Sequence, residues 1–276
     1  MSKADRIFVE NFENLMKNGF DSAGQKVRPK WEDGTPAHTR KLFGVVNRYN
    51  LAEEFPAMTL RPTPLKTAFD ELLWIWQRKS NRTKDLASHI WDQWTDENGT
   101  IGKAYGYQLA KKYPFPQGEM DQVDNVIWNL KNDPYSRRIL TSLYNFEDLH
   151  EMNLYPCAYS MTFNVTGNKL NAVLNQRSQD VLAASAFNTC QYSLLVMMLA
   201  QVCGFEAGEL VHMISDYHVY DRHIDIVKDL VQREQFPAPR VRLNPKVKNF
   251  YDFTVDDLIV EDYKANPQVK GIPIAV

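Results

Sequence analysis

The stretch NTCQYSLLVMMLAQV, residues 188–202, is apolar almost all the way round a helix rather than along one stripe. A helix of that kind has no side to show to water, so it must run through the middle of a core with other layers packed around it. Gly204 ends it. With 276 residues the chain is long enough to build those layers. No apolar run reaches the roughly 20 residues that a membrane span needs, so the buried helix belongs to a globular core.

The segments on either side indicate what surrounds it. Tyr159, Met161, Phe163 and Val165 alternate with Ser160, Thr162 and Asn164, the period of a half-buried strand. TGN turns the chain and KLNAVLNQRS returns, giving a hairpin. Leu210 to Tyr220 reads as another strand, and Asp221 to Glu234 as a capped amphipathic helix. In the first half, Ala4 to Gly19 and Thr63 to Lys79 read as helices, the second with Leu65, Phe69, Leu72, Leu73 and Trp76 on one stripe. Met120 to Lys131 is a further amphipathic helix. The polar run QKVRPKWEDGTPAHTRKLFG and the Pro-rich residues 106–119 are expected to be loops. No repeat or linker divides the chain, which predicts an α+β fold, one domain over residues 1–276 with helices packed on a mixed sheet.

A formal net charge of −2 offers no general attraction to nucleic acid or to anionic membranes, so any anion site must come from clustered arginines. The three cysteines lack CxxC spacing, and the six histidines show neither HExxH nor paired Cys/His spacing. Both point away from a metal site, and the free thiols fit a reducing, cytoplasmic setting. The N-terminus is charged and helically periodic, without a signal-peptide core. Neither GxGxxG nor GxxxxGK[ST] occurs, against the usual nucleotide-cofactor folds.

Polar groups gather where strands end. Arg177, Ser178 and Asp180 lie in NQRSQD, between the hairpin and the apolar helix. A solvated loop or a structural ion pair explains them as well as a binding site does. Arg137 and Arg138 follow a turn, and arginine forks match phosphate oxygens, though an RR dipeptide is usually surface charge. His218 and Tyr220 share one strand face. Cys190 and Cys203 belong to the apolar helix, whereas Cys157 follows Pro156 at a strand entry, where a nearby arginine could favour its thiolate. On these residues alone, packing and nucleophilic chemistry both remain open for Cys157.

DELLWIW, HIWDQW, GTIGKAYGYQL, DQVDNVIWNLKNDPYSRR, YPC, QRSQD, FN, DYHVY and the ending IAV occur here in order. Together they resemble the folate-dependent thymidylate synthase family, in the branch found in certain Gram-positive bacteria and their phages. The resemblance implies that family's fold, a homodimer paired sheet to sheet, and methylation of dUMP with 5,10-methylenetetrahydrofolate as carbon donor and reductant, with no metal and no need of nucleic acid. It makes Cys157 the nucleophile toward carbon six of the uracil. Arg177, Ser178 and Arg28 become phosphate ligands, and Arg137 and Arg138 reach the phosphate of the partner subunit. Asn188 pairs with the uracil ring, Gln176 orders the nucleotide site, and His218 and Tyr220 bind the sugar hydroxyl. Glu71 orders water and moves protons, and Tyr105 sits near the proton-abstraction step. Asp180 binds the pterin, while Trp91 and the C-terminal Val276 cover the folate.

Several positions depart from the family pattern. Ala158 follows the nucleophile where histidine is frequent, and Ala184-Ser185-Ala186 replaces Gly-Leu-Pro. Ser215 stands for a glycine, Arg222 for an asparagine, and the Arg28 segment lacks RTGTGT. A hydroxymethylase of the same superfamily is the alternative; Asn188 speaks against cytosine as its base, and Trp91 with the terminal valine speaks against letting water in. A non-catalytic dUMP- or RNA-binding relative predicts a lost nucleophile or lost phosphate clamp, and the sequence keeps both.

Overall fold

The computed structural model describes residues 1–275. Helix α1 (Lys3–Asn18) starts on Ser2, whose Oγ accepts from the Asp5 N–H at 3.0 Å, and buries Phe8, Phe12 and Leu15. Strands β1 (Phe20–Asp21) and β2 (Thr39–Asn50) follow, then α2 (Leu65–Leu72). Beyond them come α3 (Gly106–Ala110), the hairpin of β3 (Lys112–Phe115) and β4 (Gly118–Asp121), α4 (Gln122–Asn132) and β5 (Leu140–Ser142). The second half contains β6 (Ala158–Thr166), β7 (Lys169–Gln176), the short β8 (Gln179–Asp180), α5 (Phe187–Cys203), β9 (Glu206–Tyr220) and α6 (Ile224–Val231). A last hairpin pairs β10 (Arg240–Leu243) with β11 (Leu258–Glu261).

The main sheet runs β1-β2-β9-β7-β6-β5, with β8 also on β9. Strands β7 and β8 lie parallel to β9 and the other pairs are antiparallel, so the sheet is mixed, as expected. The expected all-round apolar helix is α5, which connects β8 to β9 and packs on the sheet and on α2 and α4. Leu194, Leu195, Val196, Met198 and Leu199 are fully buried on it, and Gly204 caps its end with φ 81°. Glycine adopts that left-handed backbone without a Cβ penalty.

Several boundaries differ from the sequence reading. The presumed loop over 25–44 ends inside β2, whose alternation is hidden by Arg40-Lys41 and broken by Gly44 at φ 74°; pairing with β9 fixes it as a strand. Residues 106–119 are not a surface loop but α3 and most of the β3–β4 hairpin. Pro114 is tolerated there because a two-stranded ribbon leaves outward N–H positions unpaired. The helix drawn over Thr63–Lys79 is α-helical only to Leu72 and then widens into a π turn over Leu73–Gln77, marked by the Arg78 N–H donating to the Leu73 carbonyl at 2.8 Å. Such turns favour functional positions, and this one begins two residues after Glu71. Asp221 to His223 form a tight 3₁₀ turn before α6, so the last predicted helix is shorter than drawn.

Because α5 is enclosed on all sides, truncating it leaves a cavity that the neighbouring layers cannot fill. Leu195→Ala is expected to destabilise the protein by about 2–5 kcal/mol, read as the shift in a urea unfolding midpoint.

Candidate active site

Cys157 sits immediately before β6, half-buried, and its carbonyl accepts the Arg177 N–H at 2.9 Å, which brings the end of β7 against it. The Arg177 guanidinium lies across the same turn. Its Nε–H donates to the Pro156 carbonyl at 3.1 Å and its Nη2 to the Tyr155 carbonyl at 2.7 Å, while Nη2 also stands 3.7 Å from the Cys157 Sγ. Two backbone carbonyls therefore aim the cation at the thiol. The expectation that this charge favours the thiolate is met only in direction: burial pushes the Cys157 thiol up, and Arg177 pulls it down by less. The thiol dominates here at neutral pH.

Tyr105 supports the cysteine from the other side, its hydroxyl accepting the Cys157 N–H at 3.2 Å. Its φ of 47° is rare for a bulky side chain and holds the ring under the site at the start of α3. Gly106 next to it has no room for a side chain, since a Cβ would meet the Ser80 carbonyl oxygen at 2.2 Å. The Tyr105 ring packs edge-on to Trp91 at 5.0 Å, and Trp91 packs on Trp94 at 5.5 Å. From Trp91 the Nε1–H donates to Glu71 Oε2 at 2.8 Å, and Gln191 Nε2 donates to Oε1 at 3.0 Å. Burial, only partly opposed by these two donors, pushes the Glu71 carboxyl up to about 7. Gln191 was not singled out in the sequence; its signal was an amide inside an otherwise apolar helix.

A second group lies along β7, β8 and β9. Gln176 donates to the Ser178 carbonyl at 3.0 Å, and its Oε1 is 2.8 Å from Nε2 of the fully buried His212, whose pKa burial lowers to about 3. His212 is thus a neutral ring that orients Gln176. His218 is held through Nδ1 by Asp216 at 2.8 Å and packs edge-on to Tyr220 at 5.2 Å. Asp180 accepts the N–H groups of Leu182 and Ala183 on Oδ1, at 2.8 and 3.1 Å. Asn188 stands half-buried in the first turn of α5.

Arg28 is exposed, but its segment is anchored. Buried Trp31 donates from Nε1 to Asp221 at 3.0 Å, and Arg222 lies over the Trp31 ring at 5.0 Å while donating to Asp33 at 2.7 Å and Thr35 at 3.0 Å. The two departures, Arg222 and the altered Arg28 segment, are therefore in direct contact. Burial raises the Tyr220 phenol to about 12, with the Asp180, Asp216 and Cys157 charges adding and the Arg28 charge opposing, so Arg28 acts on the same cluster. Arg137 and Arg138 stand apart: both are exposed ahead of β5 and make no hydrogen bond or ion pair among the described residues. Val276 lies outside the described residues. Among the described residues no group of three or more His, Cys, Asp or Glu is placed to hold a metal ion.

A model of the family described as thymidylate synthase matches residues 6–276. The chain belongs to the thymidylate synthase family. It is 46% identical to a thymidylate synthase from Bacillus mojavensis over 269 residues, 96% of each chain. Identity is 45%, with the same coverage, to thymidylate synthase 1 of Bacillus subtilis strain 168 and to the thymidylate synthase of Bacillus phage phi3T. A solved structure of a thermostable thymidylate synthase A from Bacillus subtilis superposes with a TM-score of 0.94 at 43% identity, over 99% of either chain. The family resemblance drawn from the motifs, including its Gram-positive and phage branch, agrees with these relatives.

The thymidylate synthase site thus contains a buried carboxyl that titrates far from its usual range. Protons are held by folded Glu71 between about pH 4.5 and about 7 where the unfolded chain has lost them, so stability falls as pH rises through that window. Glu71→Gln removes this dependence. Relative to wild type, the variant should gain on the order of 3 kcal/mol between the two ends of the window, measured by urea unfolding of both proteins at each end.

Proposed function

We propose that this chain catalyses the reductive methylation of dUMP to dTMP, with methylenetetrahydrofolate converted to dihydrofolate. The observation that carries the proposal is Cys157 Sγ facing Arg177 at 3.7 Å, in a chain that belongs to the thymidylate synthase family. As nucleophile, Cys157 adds through sulfur to carbon six of the uracil and makes carbon five nucleophilic. Folate supplies the one-carbon unit and the reducing hydride. Arg177 has an Nη1 without a protein partner among the described residues, available to a phosphate oxygen, with Ser178 and Arg28 as further ligands. An anion there draws the guanidinium charge toward itself, while Arg177 continues to lower the cost of ionising the thiol.

Asn188 faces the uracil edge as both donor and acceptor, Gln176 is held for the same site by His212, and His218 and Tyr220 take the sugar hydroxyl. Glu71, with its pKa raised to about 7, is matched to giving and taking protons near neutrality, and Tyr105 serves the abstraction at carbon five. The residues present fit a folate. Ile90, 44% exposed, and the Trp91–Trp94 pair offer an apolar wall, and Asp180 Oδ2, which faces His223 Nδ1 at 3.7 Å, keeps a lone pair to accept a ring N–H. Trp91 and Val276 then exclude water, which separates this chemistry from that of a hydroxymethylase.

Residues 1–276 are read as one thymidylate synthase-like domain acting as a sheet-to-sheet homodimer in the cytoplasm. Three free cysteines support the reducing compartment. Phe43, Val46 and Met213, all exposed on the adjacent strands β2 and β9, support the dimer as apolar sheet surface in need of cover. Exposed Arg137 and Arg138, with no partner on their own chain, are assigned to the phosphate of the partner subunit.

Incubation with dUMP and methylenetetrahydrofolate should yield dihydrofolate by absorbance and dTMP by mass. Hydroxymethyl-dUMP with tetrahydrofolate would identify the sister reaction, and no turnover by folded protein would remove both. Cys157→Ser should lose turnover by at least about 10³-fold while dUMP binding changes little. For the dimer, Cys157→Ser and Arg137→Ala/Arg138→Ala should each be nearly inactive alone, and mixing them should restore activity by pairing one intact site per dimer. Continued inactivity of the mixture, with each variant dimeric by sedimentation, would refute the shared site.

A further inference from the structure

His223 has no part in the chemistry above, yet it is 1% exposed and touches three pieces of the site. Its ring packs edge-on to Trp31 at 5.5 Å and to Tyr220 at 5.6 Å. Nε2 lies 2.8 Å from the Pro273 carbonyl. This is the sole hydrogen bond made by residues 270–275 among the described residues; the tail is otherwise held there by apolar packing of Ile272. Nδ1 lies 3.7 Å from Asp180 Oδ2, within ion-pair reach, and is a buried nitrogen without any hydrogen bond.

The two groups that face the ring nitrogens are both acceptors: a carbonyl cannot donate, and neither can an ionised carboxylate. Neutral imidazole carries one N–H and satisfies only one of them, whereas imidazolium carries two. We infer that His223 is a positioning residue which, as imidazolium, ties the C-terminal tail at Pro273 to Asp180, so that tail closure and the orientation of the pterin-binding carboxylate are one event. The other charged or titratable groups around the pair are Asp221 on the same turn, Tyr220 and His218 on β9, Arg61, which acts on Asp180, and Arg222 and Arg28 beyond the Trp31 and Tyr220 rings. Burial opposes the charge on His223, but Asp180, the Pro273 carbonyl and Asp221 outweigh it and raise the pKa above the usual histidine value. Asp180 is lowered, burial being outweighed by His223 first and then by the Ala183 N–H and the His218 charge. The sign follows: the tie is complete below the ordinary histidine pKa and is lost as pH rises through the raised one.

The link to folate rests on the activity proposed above; the tail tie does not, and the two are read separately. In NMR titration of the histidine ring protons, with the His223 signal assigned by its absence from His223→Phe, the midpoint should lie above about 6.5 and fall by about one unit or more in Asp180→Asn. A midpoint at or below the ordinary value, or one unmoved by Asp180→Asn, overturns the tie whether or not the protein is an enzyme. In ¹⁵N relaxation near pH 6, the backbone order parameters of residues 271–275 should fall below about 0.6 in His223→Phe while staying higher in wild type, and equal values overturn the inference. Kinetically, His223→Phe should raise KM for the folate about 10-fold with kcat and the KM for dUMP within about 2-fold, and His223→Gln, which keeps a donor, should recover part of that loss. Loss of kcat alone would mark a merely structural residue. Should the Phe variant not fold, His223→Gln assigns the signal and the Asp180→Asn titration decides.

Discussion

The site depends on the enclosure of α5. Because that helix is covered by the sheet on one side and by α2 and α4 on the other, its few polar side chains have fixed partners and nowhere else to go. Gln191 reaches Glu71 on α2, Thr189 lies 3.3 Å from His212 on β9, and Asn188 opens toward the strand ends. A helix packed with one wet face could shift or rotate by a fraction of a turn at small cost. With fully buried side chains around its circumference, rotation would bury polar groups without partners, at about 1–3 kcal/mol each. The same hydrophobic enclosure therefore sets the register of a carboxyl, an amide and an imidazole on three different elements.

Burial also sets the titration of the site, and it works against the chemistry until substrates arrive. It raises Cys157, Glu71 and Tyr105 together, favouring their neutral forms. For Glu71 this is useful at once, since a carboxyl near neutrality can both give and accept a proton. For Cys157 it means that one arginine is not enough to hold a standing thiolate. In the reaction proposed above, a thiol that ionises only as carbon six of the pyrimidine comes within reach would avoid the side reactions of a free thiolate, and the charge of Arg177 would act on the transition state rather than on the resting protein.

Much of the fold was legible because it follows from periodicity. The alternation of β6, the return of β7 and the unbroken apolar pattern of α5 are local statements, and tertiary contacts only trimmed their ends. Strand β2 was hidden because its identity is not local: Arg40, Lys41 and Gly44 spoil the pattern, and only the fifteen-residue β9 beside it supplies the hydrogen bonds that make it a strand. The β3–β4 hairpin was hidden by prolines for the same reason. The residues assigned to the reaction came from the family pattern, but the groups that hold them were not legible. Gln191, His212 and Asp216 are each unremarkable in sequence, and their roles exist only as distances across α5 and β9.

The departures from the family pattern illustrate that difference most directly. Arg222 and the Arg28 segment, read separately, look like two unrelated departures. In space, Arg222 covers Trp31 and grips Asp33, so one change supports the other and the segment bearing Arg28 gains a cation–π contact and an ion pair. An exposed ion pair of this kind is worth at most about 1 kcal/mol, so the buried Trp31, with its indole N–H on Asp221, does most of the anchoring. That places the anchor next to His223, on the same short turn after β9. The Arg28 segment, Tyr220 and the C-terminal tail are consequently fastened around one three-residue turn, so any motion of the tail is felt at Tyr220 and Trp31.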